Sequence, residues 1–214
     1  KSRLLGTIAY QRGGVTTYAL EGSILSAGST IQWLRDELKI IRDGAHAGEL
    51  AKSVADTAGV HLVPAFVGLG APHWDSDARG AILGLQRGST IAHIARAALE
   101  SVAFQTAELL QAMAKDGVAP QRLRVDGGMA RNDWLLQFMA DILGIEVVRP
   151  KNTETTALGA AILAAVGVGE FASLDEASAL WKLDRRFSPV MEAGERSRRL
   201  AGWSEAIARV KTVR

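Results

Sequence analysis

"LRVDGGMARNDWLLQF", Leu123 to Phe138, sets two adjacent glycines between an apolar run and an amphipathic one. Leu123 and Val125 alternate with polar neighbours, as a half-buried strand does. Trp134, Leu135, Phe138, Met139, Ile142 and Leu143 recur at steps of three and four, the period of one helix face. The stretch reads strand, turn, helix. Downstream, "IEVVRP" predicts a strand ended by Pro150, and "TETTALGAAILAAVG" predicts a helix of small residues, too short to cross a bilayer and expected to be buried. The tail from Phe187 onward reads as a mostly charged helix, with Arg185, Arg186, Arg196, Arg198 and Arg199 on a solvated face.

Upstream, two β-prone runs flank Gly13-Gly14, a pair that supplies the positive φ of a tight hairpin. "SAGSTIQWLRDELKII" places Ile31, Leu34, Leu38 and Ile41 at helical spacing, and a second helical segment runs through Leu50 and Val54. "VHLVPAFVG" is expected to be a buried strand broken by Pro64, followed by a structured loop rich in Gly, Pro and Asp and the strand-like "RGAILGL". A long helix then starts at Ser89 or Thr90 as N-cap, with a stripe of Ile91, Ala95, Ala98, Val102, Leu109 and Met113 that Gln105 and Thr106 interrupt. Strands alternate with helices and nothing repeats, so the expectation is a single α/β domain with a mixed sheet flanked by helices.

The 214 residues are 48% hydrophobic, enough for a substantial core. Lys+Arg 25 against Asp+Glu 23 leaves a net charge of +2, too balanced for a nucleic-acid partner, and with Cys 0 there is no disulfide, thiolate nucleophile or cysteine metal site. The basic amino end lacks the apolar core of a secretion signal, and a cytoplasmic protein is expected. The chain opens almost directly on strand-like sequence, which suggests a piece of a longer protein.

At the end of a strand, Gly127-Gly128 lets a ligand approach bare N–H groups beside a helix N-terminus that favours an anion, and Asn132 adds an amide for a ribose or base edge. A plain tight turn explains the two glycines equally well. Gly28 and Gln32, four residues apart, share one helix face and form a second candidate site, or merely a close packing face. No G-x-x-x-x-G-K-[ST] loop is present, and "GVGEFA" follows a helix rather than the strand a dinucleotide fold needs. His46, His61, His73 and His93 lack ligand spacing and are assigned to surface or packing; no metal is assigned. Trp33 and Trp74 read as core or loop anchors.

Together, "YALEGSILSAGSTIQWLRDEL", "VPAFVGLGAPHWDSDARGAILGL", "HIARAALESVAFQT", "LRVDGGMARNDWLLQFMADILG" and "ETTALGAAILA" cover nearly the whole chain. In that order they resemble the carboxy-terminal half of the FGGY carbohydrate kinases, on the glycerol-kinase rather than the pentose-kinase side. His73 stands where that family often has an aromatic residue. The resemblance implies an actin-like, ribonuclease-H-like ATPase fold, with residues 1–214 as the nucleotide-binding domain. It also implies that ATP or ADP lies between this half and an amino-terminal one. Gly28 and Gln32 would lie near base and ribose, Gly127, Gly128 and Met129 would present backbone, and Asn132 would contact the adenosine.

The family's reaction uses Mg²⁺, a carboxylate base and a D-x-G-[ST] turn. None of these motifs is found in this chain, no catalytic residue is assigned, and Asp126 is not taken as the base. The half alone is expected to be inactive and, with its cleft uncovered, prone to form homo-oligomers. Alternatives are a kinase half for another polyol or sugar, or a non-catalytic nucleotide-binding or interaction domain. The tail around Glu195 aligns with a regulatory-protein contact of some bacterial members, but a plain helical surface is expected there.

Overall fold

The computed structural model describes residues 3–212. The readings that turn on Lys1 and Ser2, including where the chain begins, lie outside the described residues. Strands β1 (Leu5–Arg12) and β2 (Val15–Glu21) form an antiparallel hairpin in which Arg12 faces Val15. Gly13 and Gly14 have φ of 55° and 77°, the two positive values that a two-residue turn matched to strand twist requires. No residue of either strand is buried.

Helix α1 (Gly28–Asp36) stops before the expected Leu38 and Ile41 because Lys39 turns the backbone to φ 56°. Leu38 is left 41% exposed while Ile41 folds back into the core. Helix α2 (Gly44–Ser53) is N-capped by Asp43, whose carboxylate accepts the His46 N–H at 2.8 Å. Strand β3 (His61–Val63) ends at Pro64 as expected and pairs antiparallel with β4 (Ala81–Leu83). Helix α3 (Ile91–Lys115) begins after Thr90, and His93 Nδ1 reaches back to accept the Thr90 N–H at 3.1 Å.

The quoted stretch forms β5 (Arg122–Arg124), a single 3-10 turn over Gly128–Arg131, and α4 (Asp133–Leu143). Strand β6 (Glu146–Pro150) runs parallel to β5 and antiparallel to β7 (Leu183–Phe187), giving a mixed sheet in the order β5-β6-β7. Between β6 and β7 lie α5 (Thr155–Gly167) and the short α6 (Leu174–Ser178); α7 (Ala193–Val210) closes the described chain. One core runs through these elements from Ile31 to Ile207. At its centre Phe104 of α3 stacks on Trp203 of α7 at 5.3 Å and meets Phe138 of α4 edge-on at 5.7 Å.

Three expectations are corrected. The tail is not helical from Phe187, which ends a strand and is buried; the helix starts at Ala193 and buries Trp203, Ala206 and Ile207. Arg196 and Arg199 are not on a solvated face. Arg196 donates to the Asp141 carbonyl at 2.7 Å, and Arg199 reaches inward to Glu100 at 3.4 Å. Helix α5 forms, yet only Val166 in it is buried, because among the described elements its main neighbour is the five-residue α6. No helix among the described residues is long and apolar enough to cross a membrane.

Within α3, Arg96 and Glu100 form an ion pair at 2.9 Å with side chains 9% and 3% exposed. Burial pushes the Glu100 carboxyl above its ordinary pKa, while the hydrogen bond from Arg96 and the charge of Arg199 pull it down. Removing one partner strands the other charge inside. Arg96→Met is therefore expected to cost about 3–5 kcal/mol, read from urea unfolding midpoints at pH 7.

Candidate functional site

A cavity of about 780 Å³ opens between α1, α2 and the turn that leads into α4. That volume is in the range of small-molecule sites. Its walls follow from local structure. Gly28 and Gln32 are one turn apart on α1 and both face it, as their spacing predicts, and Met129 packs across from Gly28. Ile31 and Leu99 give it an apolar floor. Gly128, Arg131, Asn132 and Asp133 supply the far wall.

Asn132 has two jobs on its two amide atoms. Its Oδ1 accepts the Leu135 N–H at 3.1 Å and so caps α4. Its Nδ2 is buried without a hydrogen-bond partner among the described residues. Thr30 Oγ1 and Trp203 Nε1 share that condition, but only Asn132 lines the cavity. A buried donor left unmade is costly, and this one lies against Gly48 of α2 at the edge of the cavity. With Oδ1 committed to the helix, this side chain presents a donor alone.

The glycine pair divides its work. Gly127, at φ 77°, makes the turn, and its N–H is already given to the Thr153 carbonyl at 2.8 Å. It does not line the cavity. Gly128 has no positive φ, and a Cβ built on it meets nothing within 4 Å. The expected bare N–H groups beside a helix N-terminus are thus corrected: the Gly127 N–H is taken, a 3-10 turn intervenes, and α4 is capped by Asn132.

Of the six candidate residues, Gly28, Gln32, Gly128, Met129 and Asn132 come together in one cavity. Sequence reasoning missed the α2 wall of Gly44, Ala45, Gly48, Glu49 and Lys52. The signal was present but faint: Gly44 and Gly48 are one helical turn apart. A Cβ on Gly48 would sit 2.9 Å from Asn132 Nδ2, so this glycine leaves the room that the amide occupies.

The histidines serve structure. His46 Nδ1 accepts the Arg42 N–H at 3.1 Å, His93 caps α3, and His73 pairs with Glu108 at 2.9 Å. His61 lies near Phe104, and burial holds its pKa below the ordinary value. Trp33 packs against Phe66 and Trp74 donates to the Arg3 carbonyl, both as anchors. Glu195 is engaged by Arg198 and Arg199.

The backbone defines a class first: an α/β half of the actin-like, ribonuclease-H-like ATPase fold. It overlays on a glycerol kinase from Plasmodium falciparum, solved with ADP, with TM-score 0.88 and 39% identity over 98% of this chain and 42% of that one. A xylulose kinase from Rhodospirillum rubrum overlays with TM-score 0.81 and 29% identity over 97% of this chain and 42% of that one. Residues 7–168 match the C-terminal domain of the FGGY family of carbohydrate kinases, and the chain belongs to that family. Glycerol kinases of Alteromonas mediterranea and Deinococcus radiodurans are 54% and 55% identical to it over 99% of its length. The chain spans 43% and 42% of those two relatives.

Asn132→Ala removes the α4 cap and is expected to lower stability by about 1 kcal/mol, seen as a shifted urea midpoint with an unchanged slope. Asn132→Ser keeps an acceptor for the Leu135 N–H without burying a charge and should recover most of that loss.

Proposed function

We propose that this chain is the nucleotide-binding half of an ATP-dependent glycerol kinase, an enzyme that transfers the ATP γ-phosphoryl group to a glycerol hydroxyl in the cytoplasm. The observation that carries this reading is the gathering of Gly28, Gln32, Gly128, Met129 and Asn132 around one cavity with an apolar floor. An adenine has a flat face for Ile31, Leu99 and Met129 and polar edges for Gln32 and Asn132. Gly28 and Gln32 then lie along the base and ribose, while Gly128 and Met129 offer backbone to the nucleotide. The ADP in the Plasmodium relative supports the reading.

The acceptor rests on sequence. Glycerol and xylulose kinases share this backbone, but identity is 54% and above with the two bacterial glycerol kinases against 29% with the xylulose kinase. The groups that hold glycerol and remove its proton would belong to the rest of the protein, as would the contacts that place the γ-phosphate. Mg²⁺ would neutralise charge on the phosphates. Among the described residues no group of three or more His, Asp or Glu is gathered to hold it, so no ligand is assigned to this chain. The rest of the enzyme would also cover the β1–β2 hairpin, where Ile8 and Tyr18 face one another, 61% and 74% exposed. Uncovered, that surface favours self-association.

Calorimetry with ADP tests the site. Gly128→Val places a branched side chain in open space without backbone strain and should abolish measurable binding. Asn132→Ala loses one hydrogen bond and should weaken it roughly two- to ten-fold. Binding by folded Gly128→Val at the parent affinity would sink the assignment. Because positioning is most of phosphoryl-transfer catalysis, the 214-residue chain should show no glycerol-dependent ADP release. A coupled assay that detects turnover above the buffer rate would refute the division of labour.

A further inference from the structure

Arg149, on β6, does not line the cavity, yet it holds the segment that does. Its side chain is 14% exposed, and its donors point two ways. Towards the turn, Nη1 donates to the Ala130 carbonyl at 2.9 Å and to Asp133 Oδ1 at 2.8 Å. Towards β7, Nε and Nη2 meet Asp184 Oδ2, each at 2.7 Å. The guanidinium also lies against the Phe187 ring, 5.7 Å from its centroid. Ala130 is buried, and Ala130 and Asp133 bracket Asn132 in the chain. The guanidinium therefore holds a backbone carbonyl before Asn132 and the side-chain carboxylate of the residue after it. Its planar fork reaches the turn and β7 at once, which a single ammonium cannot do.

We infer that Arg149 is a positioning residue for the nucleotide site, setting where the Ala130–Asp133 segment holds Asn132 in the cavity wall. This rests on the nucleotide reading above. The competing role is a plain tie between β6 and β7, and Asp184 separates the two. Asp184→Asn weakens the β7 side and leaves both bonds to the turn in place.

The test is ADP calorimetry on the 214-residue chain with the variants Arg149→Met, Arg149→Lys, Asp184→Asn, Asn132→Ala and the Arg149→Met/Asn132→Ala pair, beside unfolding midpoints for each. Arg149→Met is expected to weaken ADP about ten-fold, the equivalent of one charge-assisted hydrogen bond. Arg149→Lys should fall between it and the parent, and Asp184→Asn should bind within about two-fold of the parent. In the Asn132→Ala background, Arg149→Met should add little, because the two act through one residue. Equal losses in Arg149→Met and Asp184→Asn, or additive losses in the pair, would overturn the inference. If Arg149→Met does not fold, Arg149→Lys carries the comparison, and its binding at parent strength would overturn it too.

If the parent itself binds no ADP, the nucleotide reading fails, and the positioning role is read without ligand. The Asn132 side-chain amide resonances in a ¹⁵N spectrum should move in Arg149→Lys and stay in Asp184→Asn. Unmoved Asn132 signals in Arg149→Lys would then dispose of the positioning role as well.

Discussion

The guanidinium of Arg96 has almost no access to water and must find its partners inside. It finds Glu100 one turn along α3, the Ala51 and Val54 carbonyls at the end of α2, and the face of Trp134 in α4, 5.0 Å from the ring centroid. Glu100 in turn takes Arg199 from α7. Four helices are thus held by two buried charges. Hydrophobic packing alone would let α2 and α4 slide across α3, since it has no direction. Fixed donors and acceptors do not permit that. The consequence reaches the cavity, because α2 and the start of α4 are two of its walls, and these contacts fix their separation.

On that fixed frame, glycine acts by three different absences. At Gly127 the missing side chain allows φ 77°. Gly128 instead has open space where its side chain would project. For Gly48 the absence is of a Cβ that would press on Asn132 Nδ2. Only the first is a backbone requirement. The other two concern volume, so of the pair at the strand's end one glycine serves the turn and the other leaves the cavity open.

Where a signal is local, the sequence was readable. The hairpin glycines, the Thr90 cap and the strand-turn-helix around Gly127 all depend on neighbours within a few residues, and all formed. Gly28 and Gln32 share a helix face and Gly128 to Asn132 share a turn for the same reason, but that the two groups meet in one cavity is a long-range fact that only the family resemblance anticipated. What failed depends on the distant chain. Strand β7 reads "LDRRF", where three charged residues mask the inward Leu183 and Phe187. Arg196 and Arg199 looked solvated because their partners, Asp141 and Glu100, are far off in sequence. The uniformly apolar α5 has no periodicity to say which face is covered. The α2 wall escaped because small residues line a cavity by leaving space.

Helix α5 and the turn are joined through one short segment, although they face different surroundings. The stretch from Arg149 to Glu154 holds the turn at three points. Arg149 grips Ala130 and Asp133, the Thr153 carbonyl takes the Gly127 N–H, and Glu154, the N-cap residue of α5, lies 3.9 Å from Arg131. The last contact is exposed and weak, but the first two are not easily stretched. Beyond Glu154 the chain enters a helix that is apolar all round and buries one residue. The same short segment thus anchors both an apolar helix and the turn that carries Asn132, so the two elements share a common piece of backbone.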